Sequence, residues 1–95
     1  MDPDLPEFMI ADVVRPTAGR EAGALYYVVG VDSEYILLAN GKDRSLEKPK
    51  RKKRKHAEKV LRSETRVARK LRSGDKVLDS ELRRDLAYII KTIGG

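Results

Sequence analysis

ALYYVVGVDSEYILLANG, residues 24–41, is the stretch that decides how this chain folds. Two apolar runs rich in Tyr, Val and Ile flank the polar connection Asp32-Ser33-Glu34, the pattern of a β-hairpin. Alternation along a strand puts Tyr27, Val29 and Val31 on one face and Tyr26 and Val28 on the other. Asn40-Gly41 follows, and both residues tolerate positive φ, which favours a tight hairpin turn. The outgoing strand is then expected from about Asp43 to Glu47. Upstream, MIADVVRP reads as a β-branched strand opened by Met9 and ended by Pro16. TAGREAG, residues 17–23, is a turn in which Gly19 and Gly23 allow the chain to reverse and another backbone to come close. Short strands at this spacing predict a small barrel that closes to hide its edges.

Downstream of His56 the period changes. SETRVARKLR, residues 63–72, fits a helix with Gly74 placed to stop it. On a helical projection Val67 and Leu71 share a face with Val60, while Arg62, Arg66 and Arg69 fall opposite. A second helix is expected from about Asp79 to Ile93, with Asp79 or Ser80 as its cap. Its apolar stripe comprises Leu82, Leu86, Ile89, Ile90 and Ile93. The short link from Gly74 to Leu78 permits a helical hairpin. Packing against the barrel or the first helix accounts for the stripe, and docking onto a partner protein or a second copy is the alternative. The expected organisation is a proline-bearing, acidic extension over residues 1–8, a barrel over 9–61 and a C-terminal helical region over 62–95.

Charge is distributed unevenly. Residues 1–43 carry eight acidic and three basic side chains, and residues 44–95 carry eighteen basic and seven acidic. The extreme is KPKRKKRKH, Lys48 to His56, with seven cations in its first eight positions. Like charges at that density repel, so the run is expected to be a flexible loop unless a polyanion neutralises it. Nucleic acid, an anionic membrane and an import receptor are the candidate partners. No apolar anchor adjoins the run, which disfavours a membrane surface. PKRKKRK also matches an import-signal pattern, a frequent false positive. No segment has the look of a major-groove recognition helix, which favours RNA over sequence-specific DNA binding.

Other classes are excluded more simply. The chain has no cysteine and one histidine, so disulfides and Cys/His zinc sites are out of reach. No apolar run approaches a membrane span, and the acidic, proline-bearing start is unlike a signal peptide. A cytoplasmic protein is expected. No nucleophile, metal or nucleotide motif is present, and GREAG lacks the Lys-Ser/Thr of a P-loop. Neither an enzyme nor a cofactor is expected.

VVRPTAGREAGALYYVVGVDSEYILLANGK resembles a KOW motif: a strand, a Gly-centred turn, then a hydrophobic strand rich in Val and Tyr. With its continuation DRSLEKPKRKKRKHAEKV, it is similar to the barrel of the large-subunit ribosomal protein L-fourteen-e family. It looks closer still to the short bacterial KOW-domain RNA-binding proteins related to that family, in which a basic segment ends in a Lys-His step. The similarity spans roughly Val13 to Val60, and the helical tail resembles that of the short bacterial members. The resemblance implies an SH3-like β-barrel that binds RNA, usually ribosomal RNA, with the large ribosomal subunit as the assembly it would join. By position, Gly19, Arg20 and Gly23 make the motif's turn and Lys48 to His56 its basic surface. Glu21, Ala22 and Ala24 depart from the pattern, since family members often carry further basic residues there.

The candidate RNA-binding residues are therefore Arg20, Arg44, Lys48, Lys50, Arg51, Lys52, Lys53, Arg54, Lys55 and His56, with Gly19 and Gly23 as the structural turn. Lys is a mobile point charge, whereas Arg can fork onto phosphate or stack on a base. Contacts are expected to be mostly to phosphates and sugars. His56 either bonds a ribose hydroxyl or stacks on a base, or is a strand residue at the barrel's rim. Tyr26, Tyr27 and Tyr35 either stack bases or fill the core. A protein-interaction adaptor, using the barrel or the Ile/Leu stripe and a merely assisting basic run, is the second reading.

Overall fold

The structure, a computed structural model, describes residues 7–94. Five strands, β1 (Asp12–Pro16), β2 (Tyr26–Val31), β3 (Tyr35–Ala39), β4 (Lys50–Lys53) and β5 (Ala57–Arg62), precede two helices, α1 (Arg66–Ser73) and α2 (Asp79–Ile93). A 3₁₀ turn, Arg54–His56, links β4 to β5. The sheet is wholly antiparallel, in the order β4-β3-β2-β1-β5; among the described residues β4 and β5 are unpaired edges, so the sheet is open rather than closed into the expected barrel.

The β2–β3 hairpin forms as its sequence pattern requires, with Asp32 N–H donating to the Tyr35 carbonyl across the turn. A bulge between Val28 and Gly30 shifts its register. Both faces of β2 are buried, so the expected alternation divides two apolar clusters. Tyr27 joins Ala11, Val13, Leu25, Ala39, Val67, Ala68, Leu82, Leu86 and Ile89, with Val29 packed against them. Tyr26 and Val28 join Phe8, Val14, Ile36, Leu38 and Ala57. The first cluster binds the helices to the sheet; the second contains no helical residue. Tyr26 and Tyr27 are therefore core residues.

Phe8 is buried in the second cluster, so the expected extension does not reach residue 8; residues 1–6 of it lie outside the described residues. The first strand begins at Asp12 rather than Met9. Ala11 takes a positive φ of 73°, and the buried Asp12 carboxylate accepts the Met9 N–H at 2.9 Å, turning the chain just before the strand.

The Asn-Gly site does not close a tight hairpin, and no strand runs from Asp43 to Glu47. Asn40 Oδ1 instead accepts the N–H groups of Lys42 and Arg44, both at 3.0 Å, a side-chain turn that competes with strand pairing. Leu46 N–H then donates to Asp79 Oδ1 at 2.8 Å, and Arg83 reaches the Gly41 carbonyl at 3.0 Å. These bonds tie the connection to the start of α2. Gly41 is required twice over: its φ is +75°, and a Cβ there would lie 2.1 Å from the Asp79 carbonyl oxygen.

α1 starts three residues later than expected. Ser63 is buried, and Thr65 caps the helix by accepting the Ala68 N–H at 3.2 Å. Gly74 ends it in the left-handed conformation, φ +80°. α2 has the expected bounds, but neither Asp79 nor Ser80 caps it. Leu78 holds the cap position, and its N–H donates to Glu81. Glu81 is also bonded by Lys70 of α1 at 2.8 Å, and that contact, followed by the Leu78 N–H, holds its carboxyl below the usual value.

A polar knot fastens helices to sheet. The Tyr27 hydroxyl bonds Ser63 at 2.8 Å and the Asp85 carboxylate of α2, which also accepts from Thr65 at 2.8 Å. Burial, and then the Asp85 contact, push the Tyr27 hydroxyl up to about 12, so it stays a proton donor throughout the neutral range.

The α2 stripe is divided: Leu82, Leu86 and Ile89 are buried, whereas Ile90 and Ile93 are about half exposed. In urea denaturation Leu86→Ala is expected to cost about 2–5 kcal/mol. Ile90→Ala is expected to cost under about 1 kcal/mol.

Candidate nucleic-acid interface

The basic run is not a loop. Lys50–Lys53 form β4, paired residue for residue with Leu38, Leu37, Ile36 and Tyr35 of β3, and Arg54–His56 continue as the 3₁₀ turn. Two physical facts explain why the charges do not melt the strand. Same-face neighbours in an extended strand are about 6.5–7 Å apart, so each like pair costs only about 0.6 kcal/mol in water, and less in salt. The alternate residues are also treated differently on the two faces. Lys50 and Lys52 are half buried, and Arg51 and Lys53 are exposed.

The half-buried cations converge on Glu21. This carboxylate is 7% exposed yet belongs to neither apolar cluster. It accepts from Arg44 Nη2 at 2.9 Å and Lys52 Nζ at 3.3 Å, with Lys50 Nζ at 3.9 Å. Burial pushes Glu21 up, but its own backbone N–H and the Lys52 and Arg44 hydrogen bonds outweigh that and hold the carboxyl below its usual value. Lys52 also donates to the Ala18 carbonyl at 3.1 Å. The Gly19–Gly23 turn is thereby clasped to a strand thirty residues away. Both glycines have positive φ, +84° and +89°, as the turn requires.

The ten candidate residues thus divide. Arg44, Lys50 and Lys52 face Glu21. Arg54 is spent on the Asp32 carbonyl, which it reaches through Nε at 3.0 Å and through Nη2. His56 is half buried in the 3₁₀ turn, and its carbonyl accepts the Thr17 N–H at 2.9 Å. Arg51 lies over the Tyr35 ring, 4.0 Å from its centroid. Arg20, Lys48, Lys53 and Lys55 are exposed, with no side-chain hydrogen bond or ion pair among the described residues. Of the second arginine cluster, Arg66 and Arg69 are exposed. Arg62 contacts the buried Asp12 at 3.4 Å, alongside Lys59 at 3.3 Å. Glu64 pairs with Arg72 rather than with that cluster.

Glu21 is the residue that sequence reasoning weighed wrongly. It stood out only as an acid where the KOW pattern is basic, and its role follows from a contact between distant segments. No protein-family model matches the chain, and no curated protein is significantly similar to it.

Glu21→Gln is expected to lower stability by about 1–2 kcal/mol at neutral pH, the exposure of Arg44 and Lys50 moderating the loss. Because the folded carboxyl titrates below its reference value of 4.5, its contribution is complete above that pH. It disappears as pH falls through the folded value. Urea denaturation of both proteins across the acid range should show their stabilities converging as pH falls.

Proposed function

We propose that this protein is a non-catalytic RNA-binding protein, acting on ribosomal RNA as a ribosomal or ribosome-associated component. The observation that carries the reading is the outward row of cations on an ordered sheet edge. Arg51 and Lys53 of β4, Lys48 just before it and Lys55 in the 3₁₀ turn after it are exposed, while Lys50 and Lys52 turn inward to Glu21. Rigid presentation reduces the ordering cost of binding, and Arg20, on the turn that Glu21 and Lys52 fasten to β4, is a further exposed cation.

The KOW and SH3-like barrel reading is supported by the strand order, with β1 between β2 and β5, and by the 3₁₀ turn before β5. It is also supported by the second apolar cluster, which the strands and Phe8 bury without help from a helix. An RNA ligand is met mainly through phosphates and shape.

If about five exposed cations meet phosphates, log K falls against log salt with a slope of about −3.5 to −4.5. Binding to structured rRNA fragments and matched duplex DNA should be measured across a salt series. Replacing Lys48, Lys53 and Lys55 together by Gln should flatten the slope by about 2–3 without lowering thermal stability. Equal, weak binding of both nucleic acids would contradict the reading.

One observation favours a protein-adaptor role instead. Tyr88, Ile90 and Ile93 are exposed on α2, and the two isoleucines border a shallow hollow of about 160 Å³ with Arg15, Gly23 and Leu25. Ile90→Asp spares the core and separates the two roles: RNA binding should be unchanged.

A further inference from the structure

One part of the basic edge is shaped for more than phosphate. Tyr35 and Leu37 of β3 lie opposite Lys53 and Arg51 of β4. Alternation therefore puts these four side chains on one face of the sheet, the face opposite Lys50, Lys52 and the Glu21 carboxylate. The Arg51 guanidinium covers the Tyr35 ring at 4.0 Å. Arg51 is exposed and makes no ion pair or hydrogen bond among the described residues, so its outer plane is available. Leu37 is drawn over Gly30, where an added Cβ would meet its Cδ1 at 2.7 Å. An apolar floor thus continues beside the ring, and Lys53 supplies an unpaired cation directly across from Tyr35.

A planar cation stacked on an aromatic ring, an apolar floor and an adjacent ammonium match the parts of an unstacked nucleotide. The base can lie on the guanidinium plane, and the phosphate can meet the lysine. A strand that only needed charge to discourage edge-to-edge pairing would be served as well by lysine. The particular use of arginine here is its plane. A base within a duplex is already stacked on both sides and offers no free face, whereas a bulged or looped-out base does.

We propose that Tyr35 and Arg51 form a stacking platform for one unpaired base, making RNA with a bulged nucleotide the favoured ligand over uninterrupted duplex. This inference rests on the RNA-binding reading above and gives that surface a ligand class. The floor and ring set the stacking depth, and Lys53 holds the adjoining phosphate.

The test compares two RNA hairpins identical except for one bulged 2-aminopurine, by titration with wild type, Arg51→Lys, Tyr35→Phe and Tyr35→Leu. The wild type should bind the bulged hairpin about tenfold more tightly and quench its 2-aminopurine. Arg51→Lys keeps the charge and should bind both hairpins alike, at the affinity the wild type has for the uninterrupted one. Tyr35→Phe keeps the ring and should retain the preference, whereas Tyr35→Leu should lose it. Should Tyr35→Leu fail to fold, Arg51→Lys decides alone. Equal wild-type affinity for the two hairpins, or a preference that survives Arg51→Lys, overturns the platform while leaving RNA binding intact. Failure to bind either hairpin overturns both.

Discussion

The Glu21 carboxylate is the constraint on which the arrangement of the basic surface depends. It lies in a turn between β1 and β2, far in sequence from the cations that surround it. By accepting from Arg44 and Lys52 and drawing in Lys50, it fixes three segments to one another: the Gly19–Gly23 turn, the connection after β3, and β4. A cationic edge strand without an internal anion would carry its charges on both faces. Here Glu21 offsets one of the three charges it faces and holds Arg44, Lys50 and Lys52 in place, while Arg51 and Lys53 lie exposed on the other face.

The rest of the fold makes that possible by holding the sheet still. Tyr27 and Asp85 lock α2 to the strand next to β3, and Leu46 and Gly41 are bound to Asp79 and Arg83 in the first two turns of the same helix. The helices therefore brace the segment that delivers Arg44 and Lys50 to Glu21, although they supply none of the residues of the proposed RNA surface. Burial of Leu82, Leu86 and Ile89 is the dominant contribution to this brace. The polar knot adds direction, because a buried hydroxyl and carboxylate tolerate few alternative arrangements.

Much of this was legible in the sequence where periodicity is strong and local. The β2–β3 hairpin, the bounds of α2 and the glycine stop of α1 follow from pattern alone; for Tyr26 and Tyr27 the pattern allows either core or base stacking, and the two apolar clusters flanking β2 decide for the core. What failed was reasoning from local propensity at sites governed by distant partners. Asn40-Gly41 looks like a hairpin turn, but the Asn40 side chain and Asp79 divert the chain into a longer connection. Asp79 looks like a helix cap, but its carboxylate is engaged by Leu46. Lys50–Lys53 looks too charged to be ordered, because a repulsion argument that counts neighbours in sequence omits an anion thirty residues away. The division of the run into inward and outward cations was readable from strand alternation, but only once the run was known to be a strand.

Amide hydrogen exchange of the protein without any nucleic acid tests this account most directly. The amides of Lys50–Lys53 that face β3, and the Arg54 amide bonded to the Glu34 carbonyl at 3.0 Å, should be protected well above random-coil rates. Random-coil exchange through residues 50–54, becoming slow only when RNA is added, would contradict it. The basic run would then be a loop ordered by its partner rather than a strand held by Glu21.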